Sequence, residues 1–412
     1  MSRPCRVLFA PFGSEGDVNP LVWLARGLQA RGQECAFLIT PHYADKVSGF
    51  AWHPIGTEAD FQRMASDPAL WQPVKGTWKV ADAMIESLPE YARAFRKARG
   101  RWDLVVTSSF SFGVACMAEA AGIPHLMLHL QPVCMRSCDD LPIRLEGTSF
   151  FRGMPKVFKR MMFVIEDLVL DARILPGINR FRARLGVPKW RHFYDDALMS
   201  GNGIGLLFPE WFAPPQPEWP ANARQFGFPT VRPASPHLPA ALEAWLAAGP
   251  APVVWTHGSA NLHVEGFHRM AVQFAAESGE RVLMVSRAVP EGDLPEGVFH
   301  WDHVPFEDLF PRCAAVVHHA GIGTTSKAFA AGVPQMAMAL AHDQFDNAQR
   351  IQRLGAGLAV GRSAEAAVAG MRRIRSDAEI RAGVARCREV MTRADGIESL
   401  CAFAEQLARG QS

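Results

Sequence analysis

The chain reads as an α/β protein built from two doubly wound domains, and three observations predict this. It has 412 residues, 49% of them hydrophobic and 20% charged, which supplies apolar material for two ordinary cores. Short, continuously apolar strand segments alternate with helical segments in two separate stretches, the pattern of parallel sheets covered on both faces. Between the stretches, residues 210–239 hold eight prolines in thirty positions, the strongest linker signal in the chain.

The first set opens with Arg6–Pro11 (RVLFAP), a strand running into a glycine-containing turn. Leu21–Arg31 has helical spacing and is closed by Gly32, and Glu34–Thr40 (ECAFLIT) is the next strand. Asp103–Ser108 predicts a strand, Gly113–Ala121 a helix and Pro124–His129 another strand. Residues 139–200 read as helical, basic and rich in Phe and Met, and Gly203–Phe208 returns to a strand. After the proline-rich stretch come strands at Pro252–His257, Arg281–Ser286, Ala314–His319 and Gln335–Leu340. Helices are predicted at His268–Glu277, Phe306–Phe310, Ser326–Ala331, Gln344–Leu354 and Ala364–Gly370. Residues 376–409 form a helical tail broken near Asp395–Gly396. In such sheets ligands bind at the carboxyl ends of the strands, here in a cleft between the domains.

The formal net charge of +2 argues against a dedicated nucleic-acid binder. No apolar run reaches the roughly 20 residues of a membrane span. MSRPCRVLFAPFG is too short in apolar residues for a signal peptide, so the expected location is cytoplasmic. The eight cysteines are scattered; only Cys134 and Cys138 are close, with no further ligands nearby. This predicts reduced thiols and no metal.

Three segments at strand ends carry chemistry. Gly13–Pro20 (GSEGDVNP) follows the first strand and is not the G-x-G-x-x-G of a dinucleotide site. Asp17 sits there either as a general base for a hydroxyl substrate or as the cap of a helix starting near Pro20. His318–Thr325 (HHAGIGTT) joins a strand to a helix. Its small residues let the backbone approach a ligand, and the helix N-terminus suits a phosphate. Thr324 and Thr325 add hydroxyls and His319 an imidazole N–H; the alternative is a tight turn with a Thr cap. Ala341–Asn347 (AHDQFDN) places Asp343 and Gln344 at the rim of the same sheet, where such a pair can grip vicinal hydroxyls or Asp343 can cap the next helix. His257-Gly258-Ser259, at another strand end, is compatible with phosphate contact.

In this order and at this separation, GSEGDVNP, HHAGIGTT…GVP and HDQFDNA resemble the nucleotide-sugar glycosyltransferases of GT-B type. These are the UDP-glycosyltransferases and the sterol and glycopeptide-antibiotic glycosyltransferases, and the resemblance covers essentially the whole chain. Within the superfamily, LLFPEWFAPPQPEWP…GFP and AGVPQ…AHDQFDNAQR look most like the rhamnosyltransferase B subunits of bacterial rhamnolipid synthesis, which join rhamnose from dTDP-rhamnose to a hydroxyacyl lipid.

The resemblance implies an inverting, metal-independent transferase without a cofactor, its nucleotide-sugar donor being a substrate. It implies Asp17 as the base, His319 and Ser259 on the diphosphate with Gly321, Gly323, Thr324 and Thr325 around it, and Asp343 and Gln344 on the donor sugar. Gly13, Ser14, Trp301 and Val304 follow as lesser donor contacts. Trp301 either stacks on the base or belongs to the core, and Lys327 stands where plant members carry a ribose-binding Glu. His342 and Phe345 would line the sugar site. The implied plan is an acceptor-binding domain over 1–228, a linker over 229–240, a donor-binding domain over 241–390 and a C-terminal helix, 391–412, returning to the first domain. Aromatic and Met residues over 60–95 and 139–195 suit an apolar, hydroxyl-bearing acceptor. Lys156–Arg160 beside Met161–Phe163 suits transient contact with an anionic membrane surface, peripheral at the inner face. The rivals are a UDP-glucosyltransferase for another apolar alcohol, an epimerase of the same architecture, and a non-catalytic sugar-nucleotide-binding partner.

Overall fold

The computed structural model describes residues 3–98, 100–229, 238–258, 265–290, 292–392 and 396–411. The predicted linker at 229–240 therefore lies largely outside the described residues.

Two parallel sheets form the frame. The first contains β1 (Arg6–Ala10), β2 (Glu34–Ile39), β3 (Ala51–Pro54), β4 (Leu104–Ser108), β5 (His125–His129), β6 (Gly203–Leu206) and β7 (Ala223–Gln225), in the order β3-β2-β1-β4-β5-β6-β7. The second contains β8 (Val253–Thr256), β9 (Val282–Val285), β10 (Val298–Trp301), β11 (Ala315–His318), β12 (Gln335–Ala337) and β13 (Gly357–Ala359), in the order β10-β9-β8-β11-β12-β13. In each sheet the first strand lies between its successor and a later strand, β1 between β2 and β4 and β8 between β9 and β11. The order of winding reverses there, so each sheet has its ligand crevice at the carboxyl ends of those strands.

The central strands are buried along their length, apart from the half-buried Arg6 that opens β1, as their apolar sequences require. One face of the first sheet, with Phe9, Phe37, Val106 and Leu128, is covered by the helix Glu15–Ala30 and by Leu400, Phe403 and Leu407 of the helix Gly396–Ala408. These two helices cross closely. A Cβ on Gly27 would come within 2.7 Å of Cys401 Sγ, and Arg31 binds both Glu398 (2.7 Å) and Glu405 (2.8 Å). The second sheet buries Trp255, Val317 and Met336.

Several element boundaries differ from the sequence expectation. The helix after β1 starts at Glu15, not near Pro20, because Ser14 caps it; Pro20 lies inside. The helix after β11 starts at Ile322 rather than Ser326. The stretch 139–200 is helical only in part, as Lys156–Leu185 and the short turn Phe193–Leu198 with a brief 3₁₀ segment before them. Strands β3, β7, β10 and β13 and the helix Ala240–Ala247 were not predicted.

The domains meet through a buried ionic lattice. Asp346, wholly buried, accepts from Arg350 (2.6 Å), Arg152 (2.7 Å) and the Ile143 N–H (3.1 Å), and Arg350 also binds Asp140 (2.6 Å). Asp140, Ile143 and Arg152 belong to the first domain, Asp346 and Arg350 to the second. Buried charges survive only when paired in this way.

Candidate active site

The chain leaves β1 through Pro11–Gly13 and turns at once into the helix that Ser14 caps. Asp17 Oδ2 accepts the Ser14 N–H at 2.7 Å and the Ser14 hydroxyl at 3.1 Å, while Ser14 Oγ accepts the Gly16 N–H at 3.2 Å. This capping box uses up the Ser14 hydroxyl. Gly13 has φ of +122°, and a Cβ there would come within 2.3 Å of Asp17 Oδ2, so only glycine fits. Gly13 and Ser14 thus shape the seat of Asp17. Burial, opposed by these hydrogen bonds, pushes the Asp17 carboxyl up to about 6.

Across the cleft, β11 ends in His318 and is followed by His319, and the two do different work. His318 is fully buried; its Nδ1 accepts the Ala320 N–H (3.2 Å), which leaves Nε2–H to donate to Gln335 Oε1 (3.0 Å). The His319 ring lies between Gly258 and Gly321: a Cβ on the first would come within 2.4 Å of Cε1, and on the second within 2.3 Å of Nε2. The expectation that glycines here bring the backbone to a ligand is corrected for Gly321, which makes room for the imidazole; Gly323 alone opens onto free space. His319 Nδ1 is buried without a partner among the described residues. Burial, with His318 and His257 adding to it, pushes His319 down to about 3, so the ring is neutral with one N–H to give.

Gly321 caps the helix Ile322–Ala331, so Thr324 and Thr325 lie in its first turn and neither is the cap. The Thr325 hydroxyl and His257 Nε2 are also buried and unpartnered among the described residues. His257 donates its Nδ1–H to Gly258 O at 3.0 Å, so its Nε2 is an orphaned acceptor, whereas the His319 N–H and the Thr325 hydroxyl, beside free helix N–H groups, suit an oxyanion. Ser259 lies outside the described residues.

Asp343 occupies the cap position of the helix Gln344–Arg353 but makes no capping bond. Its Oδ2 accepts instead from Asn347 Nδ2 at 2.7 Å, and the same Nδ2 donates to Ala320 O at 2.9 Å. Burial first, with the charges of Asp17 and Asp346 adding, pushes Asp343 up to about 7. Gln344 is turned inward: its Oε1 accepts the N–H groups of Leu340 (2.7 Å) and Ala341 (3.0 Å). Of the Gln344 side chain this leaves the amide nitrogen, and of Asp343 the Oδ1 atom, for a ligand. Ala320 (φ 65°) and His342 (φ 57°) are the non-glycine residues with left-handed backbone among those described, and each sits in one of the two donor motifs.

His342 turns toward the first domain. Its Nε2 donates to Leu70 O of the first domain at 2.9 Å, and Phe345 is buried. Trp301 ends the edge strand β10 half-buried, with its ring 6.1 Å from Phe299, packed against the cluster that buries Val304. Lys327 pairs with Glu307 at 3.1 Å. Among the apolar acceptor candidates, Met84 is core, Phe61 stacks on His42 at 4.0 Å and Trp71 meets His342 edge-on. Among the described residues no three His, Cys, Asp or Glu side chains group as a metal site, and all eight cysteines are free.

Asn347 is the residue that the sequence reading passed over. Its spacing of four from Asp343 on one helix face was the available signal.

Residues 274–395 match the family described as "Erythromycin biosynthesis protein CIII-like, C-terminal domain". The chain is 29% identical over 379 residues to dTDP-epi-vancosaminyltransferase of Amycolatopsis orientalis, covering 86% of this chain and 85% of that protein. It is 28% identical over 426 residues to O-mycaminosyltylonolide 6-deoxyallosyltransferase of Streptomyces fradiae, covering 98% and 97%. The crystal structure of the glycotransferase of kitacinnamycin superposes with a TM-score of 0.74 at 19% identity, covering 99% of this chain and 100% of that one. In fold and in sequence the chain is therefore similar to glycosyltransferases of the GT-B type, and its residues 274–395 resemble the C-terminal domain of the erythromycin CIII-like proteins.

Proposed function

We propose that the chain transfers a 6-deoxyhexose of the rhamnose type from a dTDP-sugar to the hydroxyl of an apolar, hydroxyacyl-type acceptor, with inversion at the anomeric carbon. The observation that carries the reading is the pair of half-buried carboxyls from opposite domains, Asp17 and Asp343, both with raised pKa, of which the second feels the charge of the first. The dTDP and 6-deoxy parts draw on the names of the two relatives, and the lipid part on the segments that resemble rhamnolipid enzymes.

In this reading Asp17 takes the proton of the acceptor hydroxyl. The oxygen attacks the anomeric carbon from the side opposite the diphosphate, forming the new C–O bond as the C–O bond to phosphate breaks. His319 donates an N–H to the departing diphosphate, and Ser259 and the N–H groups of Gly321–Thr325 share its charge. Asp343 and the Gln344 amide nitrogen hold the sugar hydroxyls. A base with its pKa near 6 is deprotonated at neutral pH yet still basic enough to accept a proton as the oxygen attacks.

The test is a competition between dTDP-rhamnose and UDP-glucose with a β-hydroxyacyl acceptor, with products read by mass spectrometry and the anomeric configuration by NMR. The expected product is the inverted deoxyhexoside. Preference for UDP-glucose refutes the donor assignment, absence of a lipid product refutes the acceptor, and an epimerised donor formed without acceptor refutes transfer.

A further inference from the structure

The helix Lys156–Leu185 carries an apolar face that no part of the described chain covers. Phe158, Met161, Val164, Ile165, Leu168 and Val169 are each between 48% and 68% exposed, and they recur at the spacing of one helix face. Over Phe158–Val169 the stripe runs about 18 Å. Phe150 and Leu145, also exposed, extend it toward the preceding segment. Scattered exposed apolar residues need no explanation, but a continuous run of this size marks a contact surface.

The charges on the helix are sorted. Its three acids point inward and are taken: Glu166 pairs with Arg136 at 2.8 Å and with Arg144, Asp167 with Arg136, and Asp171 with His192 at 3.0 Å. The exposed charges along it near the stripe are Lys156, Arg160 and Arg173. Lys156 and Arg173 share exposed acids, Asp139 and Asp82, and Arg160 has no acidic partner among the described residues. The same face of a second copy would bring an apolar stripe but a like-charged Arg160, again unpaired among the described residues. A lipid surface with anionic headgroups supplies both the apolar layer and the missing charge.

The stripe also adjoins the cleft. The segment that leads into it is bonded to the helix headed by Asp343, through Arg152 to Asp346 at 2.7 Å and the Ile143 N–H to Asp346 at 3.1 Å.

We propose that this face of the helix Lys156–Leu185 docks on an anionic lipid surface, lying in the plane of the headgroups with Arg160 among the phosphates. The inference does not depend on which acceptor the enzyme uses, because docking is read without turnover.

The test is flotation of the full chain with phosphatidylcholine vesicles that do or do not contain about a quarter phosphatidylglycerol. The protein should float with the anionic vesicles. The double variant Ile165→Glu, Leu168→Glu should lower the partition coefficient at least about tenfold, with circular dichroism and melting temperature unchanged because both sites are exposed. Arg160→Glu should weaken binding to the anionic vesicles alone. Failure of the wild type to float, or equal flotation of the double variant, overturns the proposal. So does a wild-type dimer in light scattering that the double variant dissociates, since a second copy would then own the face.

Discussion

Asp17 Oδ2 accepts the Ser14 N–H at 2.7 Å, so the carboxyl proposed as the base also closes the capping box of its own helix. Of the two readings of Asp17 left open by the sequence, the cap of a helix starting near Pro20 does not hold: Ser14 is the cap, and Asp17, three residues on, closes the box, which fixes where its carboxyl points while burial raises its pKa. Several consequences can be measured.

The first is the pH profile. With the Asp17 carboxyl pushed up to about 6, turnover should rise with pH through that value and then level, because the protonated form cannot accept a proton. Initial rates at saturating donor check this. A rate that is flat from well below this pH would mean that no carboxyl of raised pKa limits the step.

The second separates the neighbouring histidines. His319→Ala should weaken binding of the nucleoside diphosphate roughly ten- to hundred-fold, the worth of one strong hydrogen bond of about 1.5–3 kcal/mol. His318→Ala should mainly lower the melting temperature, because its ring bridges Ala320 and Gln335 inside the sheet. Calorimetric titration and thermal melts of both variants distinguish them, and the reverse pattern would contradict the assignment.

The third concerns Asn347, whose Nδ2 ties Asp343 to the left-handed Ala320. Asn347→Ala frees both. The donor KM should rise and kcat/KM should fall about ten-fold or more, the loss of a bond to a charged group. The affinity for the nucleoside diphosphate alone should change much less. An equal loss in both would indicate a general structural role.

The fourth is acid lability. His125, His129, His257 and His318 are pushed down to about 4 and His319 to about 3, in each case chiefly by burial. The native state therefore binds fewer protons than the unfolded chain below about 6.5, and the stability these groups contribute is lost as pH falls toward 4. Asp17 and Asp343 act in the opposite sense: their raised pKa values favour the native state at low pH and disfavour it as pH rises through about 6 and about 7. Five histidines against two carboxyls decide the sign. Urea midpoints should be lower at about pH 5 than at about pH 7, and a higher midpoint in acid would contradict it.

The central strands were legible because burial on both faces demands unbroken apolar runs, as in Leu104–Ser108 and Ala315–His318. The four strands missed, β3, β7, β10 and β13, are the edges of the two sheets. Each has only three or four residues and is wholly or partly accessible, so no apolar run betrays it. Pro20 was read as the start of its helix because proline favours that position, but the Ser14–Asp17 box outweighed it. At the site, motif order drew attention to Asp17, His319 and Asp343. It could not show that Gln344 turns back on its own loop or that His342 reaches Leu70, because side-chain direction is decided by tertiary contacts.

The central claim is that Asp17 takes the acceptor proton, and the direct measurement is turnover of Asp17→Asn with donor affinity determined on the same preparation. Asparagine keeps an oxygen for the Ser14 N–H, so the helix start should persist. Turnover should fall by roughly 10²–10⁴ while donor affinity stays within about two-fold. Near-normal turnover in a variant that binds donor normally would contradict the account and leave Asp17 only as a member of the Ser14 capping box.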